Sequence, residues 1–193
     1  MKRFLFLLTM VFLLAHCEEG RQSSSTTEYQ KKVFPSDFKA LCNATGIEKA
    51  TAYNKAKGVV SPILIFSRGA VGETYYERTS SMVPKAWKVD WKEVTKTQLV
   101  ACTTVTDAKQ VKTCKLKNRK SDKQLIVNGF DATYKIILYE AESGKKITSK
   151  TMKAKFTRCP MFHMFSRGET EDDSYASIKQ PLTDFLQKYV VKR

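Results

Sequence analysis

The chain has 193 residues, with 34 lysines and arginines against 19 aspartates and glutamates, which gives a formal net charge of +15 at pH 7. This length supports one domain with its own hydrophobic core and is short for two. No apolar run approaches the roughly 18 residues that a membrane-spanning helix needs, so we expect no transmembrane helix in the mature chain.

The N-terminus has the pattern of a secretion signal. Lys2 and Arg3 form a charged start, and Phe4–Ala15 is a predominantly apolar run of twelve residues. That run fits the hydrophobic region of a signal peptide and is too short to cross a membrane. We predict a signal peptide at residues 1–16, whose removal leaves 32 basic and 19 acidic residues, a net charge of +13.

The next residues resemble the lipobox of bacterial lipoproteins, in which a cysteine becomes the lipidated first residue of the mature protein. Leu14 and Ala15 match that pattern, Cys17 follows, and His16 stands where a small residue is usual. The resemblance implies lipidation at Cys17 and an extracytoplasmic protein anchored to a membrane, with residues 17–32 as a flexible Ser/Thr-rich tether. Secretion without an anchor is the alternative.

Residues 33–193 are expected to form a single α+β domain, mainly an antiparallel sheet of two hairpins with long loops and a C-terminal helix. The first hairpin is predicted from residues 97–105 and 110–116, with the chain reversing at Asp107-Ala108-Lys109. A polar stretch of this kind between two β-branched runs is typical of a turn.

The second hairpin is predicted between Phe130 and Phe156, with its turn at Glu142-Ser143-Gly144. Its first strand is rich in β-branched and aromatic residues, which favour strands. In the second strand Met152, Ala154 and Phe156 alternate with lysines, which predicts that these three side chains share the buried face.

Five cysteines are present, and removal of Cys17 leaves an even number. The predicted first hairpin places Cys102 opposite Cys114, which favours a disulfide between them and leaves Cys42 to pair with Cys159. Spacing alone permits all three pairings of four cysteines. Two reduced cysteines in the core are the alternative for Cys102 and Cys114.

Short elements are predicted on both sides of the hairpins. Ser36 is a candidate cap for a helix that turns Phe38 and Leu41 inward. Residues 59–66 form an apolar run that predicts a strand, and Pro62 places it at a sheet edge or at an irregular start.

Two further patterns predict a core-anchored loop and a closing helix. Trp87 and Trp91 are expected to anchor a loop in the core, an aromatic binding platform being the alternative. Residues 181–191 predict an amphipathic closing helix, because apolar residues recur at helical spacing and Pro181 suits its first turn. The apolar positions are Leu182, Phe185, Leu186 and Tyr189.

The signatures of common enzyme classes are missing from the sequence. It contains no His-Glu-x-x-His, Gly-x-Ser-x-Gly or phosphate-loop motif and no Cys-x-x-Cys pair, so no metal or other cofactor is predicted. His163 lies in an apolar stretch and is expected to be a packed side chain rather than a base.

Residues 169–173 are expected to be a solvated acidic loop, since they lack calcium-loop spacing. A secreted hydrolase or effector that uses acidic residues on such loops is the alternative to a binding protein. The acidic residues are Glu169, Glu171, Asp172 and Asp173.

The positive charge is the main indication of function. Lysines concentrate at residues 109–123 and 145–158, which predicts attraction of anions such as envelope polymers or lipid headgroups. Nucleic acid is not expected, because the basic runs lack interleaved aromatic residues for base stacking. A lysine-rich solvated surface without a partner is the alternative. The candidate polyanion-binding residues are Lys112, Lys115, Lys117, Arg119, Lys120, Lys123, Lys153 and Lys155.

Six short stretches carry a resemblance that spans most of the mature chain. They are residues 41–46, 52–53, 98–102, 113–114, 158–160 and 165–168, which include all four cysteines of the mature domain. In this layout the chain resembles an uncharacterised bacterial extracytoplasmic domain family. The resemblance implies an exported α+β domain and assigns no activity.

Overall fold

A computed structural model describes residues 32–56, 58–69, 73–117, 124–165 and 168–191. The predicted signal peptide, Cys17 and nearly all of the tether lie outside these residues. The remainder of the chain, Lys32–Arg193, forms one compact unit.

The described residues of this unit form six strands, two α-helices and three 3₁₀ helices. The strands are β1 (Ile63–Arg68), β2 (Tyr76–Glu77), β3 (Leu99–Lys117), β4 (Gln124–Glu140), β5 (Lys146–Ala154) and β6 (Glu171–Tyr175). The α-helices are α1 (Thr79–Met82) and α2 (Lys179–Val190), and the 3₁₀ helices are Pro35–Asn43, Lys85–Trp87 and Trp91–Lys96.

The strands form one mixed sheet in the order β2-β1-β3-β4-β5, and β6 also pairs with β4. β1 runs parallel to β3 and β6 runs parallel to β4, while the other pairs are antiparallel. The predicted class, a mainly antiparallel α+β domain with a C-terminal helix, is therefore confirmed.

Each face of the sheet carries its own hydrophobic core. On the helix face, α2 packs through Leu182 and Leu186 against Ile65, Ala101 and Ile136. On the opposite face, the back face, the 3₁₀ helix Pro35–Asn43 packs against the alternate strand residues. The back-face core includes Phe38, Leu41, Leu64, Phe66, Val100 and Cys102.

The predicted first hairpin is wrong, because β3 continues through the expected turn at residues 107–109 and extends over 19 residues. β3 pairs with β4 instead, and its last residue, Lys117, lies opposite Gln124. The register shifts between Val105 and Asp107 and again between Gln110 and Lys112. Each shift inserts one extra residue into β3, which bends a strand locally.

The second hairpin is confirmed: β4 and β5 pair antiparallel, with Tyr134 opposite Met152. Gly144 in the connecting turn has φ +70, a conformation that favours glycine. The prediction for Phe156 is wrong, because it follows the end of β5 and its ring lies over Gly129 on the back face. A Cβ at Gly129 would overlap that ring.

The four cysteines of the described chain form two disulfides, Cys42–Cys102 and Cys114–Cys159. The favoured pairing of Cys102 with Cys114 is wrong. Both residues lie on β3, twelve positions apart, so an extended chain separates them by about 40 Å. Cys42–Cys102 instead ties the N-terminal 3₁₀ helix to the sheet, and Cys114–Cys159 ties the far end of β3 to the segment after β5. Such bonds are typical of an oxidising, extracytoplasmic setting.

The N-terminal helix buries Phe38 and Leu41 as expected, although it is a 3₁₀ helix and begins at Pro35. Ser36 therefore lies inside the helix and is not its cap. The backbone N–H of Phe34 donates to the Asp37 carboxylate at 2.9 Å. β1 begins directly after Pro62, which confirms the irregular start, and it lies between β2 and β3 rather than at an edge.

The closing helix α2 is confirmed, with Pro181 in its first turn and Leu182, Phe185 and Leu186 buried. The two tryptophans differ in environment: Trp87 is buried in the helix-face core, as expected, while Trp91 is 63% exposed. The loop is thus anchored by one indole.

Candidate functional site

The register of β3 and β5 on β4 assigns four of the described candidate lysines to a face. Residues directly opposite each other share a face, as do alternate residues of one strand. Lys112 lies opposite Gly129 and Lys153 opposite Thr133, so both belong to the back face. Lys115, opposite Ile126, belongs to the helix face.

Five candidates remain. Lys117 lies opposite Gln124, on the helix face with Lys115. Lys155 is exposed just after β5. Arg119, Lys120 and Lys123 fall outside the described residues. The structure therefore separates a set that sequence alone had treated as one patch.

Two back-face lysines near Lys112 and Lys153 were absent from the predicted set, and Lys146, opposite Tyr139, lies farther along the same face. Lys109 lies opposite Asp131, and Lys135 lies opposite Thr104. Their strand alternation could have found them, but only with the correct register of β3. Together with Lys112 and Lys153, these two residues form the lysine face, which consists of Lys109, Lys112, Lys135 and Lys153.

The lysine face is open to solvent. All four lysines are exposed, and every residue of β3 from 106 to 113 is exposed. The β4 positions concerned run from 129 to 135, so the lysines extend over about 20 Å at the usual rise of a strand.

Two carboxylates share the back face. Asp107 lies opposite Thr133, and Asp131 accepts a hydrogen bond from the backbone N–H of Phe156 at 2.7 Å. Lys112 Nζ donates to the Thr157 carbonyl at 3.5 Å. Among the described residues, no carboxylate lies within ion-pair distance of any of the four lysines.

A second feature, the acidic cleft, lies beyond the N-terminal end of α2 and is lined by β6 residues of both sheet faces. Its volume is about 1060 Å³, close to the upper end of the size range of ligand sites. Ser67, Thr103, Val105 and Tyr134 contribute from the central strands, and all five residues of β6 line the cleft. Thr103 donates to Ser67 Oγ at 2.6 Å.

The cleft contains the acidic residues predicted to form a loop. That prediction is wrong for Glu171, Asp172 and Asp173, which belong to β6. Glu169 also lines the cleft, as does Glu73 from the segment between β1 and β2. The pairing of β6 with β4 was hidden because a strand of acidic residues has no apolar alternation.

His163 is half-buried and lies beside a carboxylate rather than in an apolar core. Its Nε2 is 2.6 Å from Asp172 Oδ2, and Asp172 Oδ1 accepts from the backbone N–H of Asp173 at 2.8 Å. Asn128 Nδ2 donates to Glu171 Oε1 at 2.7 Å. These bonds position the carboxylates along β6. No group of three His, Cys, Asp or Glu side chains within the described ranges could hold a metal ion.

Two tyrosines that line the cleft have raised pKa values. Burial raises the pKa of Tyr134 to about 12, with Tyr175 adding to the shift. The Tyr134 hydroxyl donates to the Ala176 carbonyl at 2.7 Å. Burial also raises the pKa of Tyr175, and Asp173, Glu73 and Asp172 act in the same direction. Negative charge therefore converges on the Tyr175 hydroxyl.

No protein-family model matches the chain, and neither a curated protein nor a solved structure matches it. Within the described part of the chain, no helix has the length and apolar character needed to cross a membrane.

Proposed function

We propose that this protein is an exported, non-enzymatic binding domain that holds an anionic polymer of the cell envelope on its lysine face. The observation that carries the proposal is the strand register that brings Lys109, Lys112, Lys135 and Lys153 to one open face. Four cations on one face of paired strands create a local positive field that attracts a repeating anion, which favours binding.

The proposed location rests on the N-terminal sequence and the disulfides. The signal-like residues 1–16 and the lipobox-like Cys17 support a membrane lipoprotein, and the two disulfides fit an extracytoplasmic compartment. Anchoring at Cys17 would hold the domain near envelope polymers and anionic headgroups, which are the partners that its charge favours.

The test compares two triple variants of equal net charge. Lys109→Gln/Lys135→Gln/Lys153→Gln removes three cations from the lysine face. Lys39→Gln/Lys85→Gln/Lys145→Gln removes three exposed lysines elsewhere. Binding of fluorescein-labelled dextran sulfate is followed by anisotropy between 50 and 300 mM NaCl.

We expect the lysine-face variant to lose affinity. The slope of log K against log salt, which is negative, should become shallower by about 2 to 3, because each lysine contact that is removed leaves about one counterion unreleased. The control variant should retain most of the slope. Equal losses in the two variants would show that net charge alone attracts the polymer and would refute the proposal.

The source of the anion is distinguished by two further probes. Vesicles of phosphatidylglycerol and phosphatidylcholine report headgroup binding, and a DNA duplex reports nucleic-acid binding. We expect dextran sulfate to compete with the vesicles for the lysine face. Binding of the duplex more tightly than dextran sulfate at equal charge concentration would contradict the expectation that nucleic acid is not the partner.

A further inference from the structure

The rim of the acidic cleft exposes apolar side chains. Phe162 is 79% exposed and Met164 is 87% exposed, and both line the cleft. The segment that carries them is held at one end by the Cys114–Cys159 disulfide and in its middle by His163, which lies against Asp172. These side chains are thus presented to solvent on a restrained segment.

The cleft is also bordered by a strand edge. Among the described strands, only β4 pairs with β6, and every β6 residue lines the cleft. An edge strand offers backbone donors and acceptors to an added extended chain, which is a common mode of peptide recognition. This feature favours a peptide over a small organic cation.

The charge of the cleft determines which peptide fits. Five carboxylates and two arginines line it, in a chain whose net charge is +15. Within the described residues, no lysine or arginine lies within ion-pair distance of any of the five, and Asp172 contacts only His163 in this way. A local excess of negative charge on a basic protein favours a cationic partner.

We propose that the acidic cleft binds an extended, arginine-containing peptide whose apolar residues contact Phe162 and Met164. Guanidinium groups bond carboxylates in a bidentate manner and stack on aromatic rings. Arginine stems can lie along apolar surface while their charged ends reach the carboxylates of β6. Glu171 and Asp173 of this site, opposite Ile126 and Asn128, lie on the helix face, away from the lysine face, and the proposal does not depend on the polyanion proposal.

The test uses two end-blocked, fluorescein-labelled nonapeptides, one alternating arginine with valine and the other alternating glutamine with valine. We expect the arginine peptide to bind at least tenfold more tightly, because hydrogen bonds to charged groups are the stronger ones. Equal affinity for the two peptides would refute the proposal.

A matched pair of double variants locates the binding. Glu171→Gln/Asp173→Asn keeps the shape of the cleft, since glutamine can still accept from Asn128. Glu48→Gln/Glu142→Gln makes the same charge change at exposed positions outside the cleft. The cleft variant should weaken binding about tenfold or more, and the control should change it less than twofold. Similar losses in both would refute a site in the cleft.

The apolar rim is tested by Phe162→Ala/Met164→Ala, which removes exposed side chains and spares the core. Severalfold weaker binding of the arginine peptide is expected. Sedimentation of the protein alone and with phosphatidylcholine vesicles tests the other occupants of such a rim. Self-association or vesicle binding that this variant abolishes, together with unchanged peptide affinity, would assign the rim to a second copy or to lipid and overturn the proposal.

Discussion

Tyr134 joins the core to the acidic cleft through a single side chain. Its ring packs in the helix-face core, and its hydroxyl donates to the Ala176 carbonyl at 2.7 Å. Replacing Tyr134 with phenylalanine should lower the free energy of unfolding at pH 8 by about 1 kcal/mol, because a buried hydrogen bond is lost. Urea denaturation followed by tryptophan fluorescence measures this difference.

The pH dependence of Tyr134→Phe tests the raised pKa. The folded pKa is about 12 and the ordinary value is 10.0, so the stabilising contribution is present below pH 10 and is lost as the pH rises toward 12. The difference in stability between the wild type and the variant should therefore shrink and then change sign between pH 10 and 12, because a pKa raised from 10.0 to about 12 outweighs one hydrogen bond. Tyr76→Phe, at a 62% exposed position, is the control. A difference that stays constant over this range would contradict the assignment.

Among the strands, β3 shows which parts of the fold the sequence could predict and which it could not. Apolar alternation and turn glycines reveal strands with a covered face, as in β5 with its buried Met152 and in the turn at Gly144. Residues 106–113 are exposed on both faces of the sheet, so their composition is polar. A polar stretch inside a strand looks like a turn, and this produced the wrong hairpin.

The disulfide pairing depends on the continuity of β3 and can be tested directly. The four cysteines fall on different tryptic peptides, which are 40–49, 97–109, 113–115 and 159–167. Digestion without reductant should give 40–49 linked to 97–109 and 113–115 linked to 159–167, as read by mass spectrometry. A reduced digest is the control. A link between 97–109 and 113–115 would restore the hairpin and contradict the continuous β3.

At the scale of the whole molecule, the candidate sites depended on register, which composition cannot supply. The sequence identified the excess of lysine, and Lys112 and Lys153 belong to the lysine face. Lys115 lies on the other face, because successive strand residues point to opposite faces and neighbours in sequence need not be neighbours in space. The acidic cleft was missed because its residues come from β1, β3, β4 and β6, which meet only in the folded sheet.

The difference in burial between the two halves of β3 predicts unequal stability along the sheet. Residues 99–105 of β3 are buried between two cores, whereas residues 106–113 are all exposed. Segments with few buried contacts open locally at lower free energy than the global transition. Amides at 106–113 should therefore exchange with deuterium at least about tenfold faster than those at 99–105, and their exchange should respond less to added urea.

Hydrogen exchange with mass spectrometry on the intact, oxidised protein measures this difference, and β4 supplies an internal comparison. Its residues 132–140 flank the double core, while 124–130 pair with the exposed end of β3 and with β6. Faster exchange at both 106–113 and 124–130 would identify one locally opening arm that carries Lys109 and Lys112 beside β6. Uniform exchange along β3 would instead mean that the strand opens as a unit, and that the lysine face and the acidic cleft share the stability of the core.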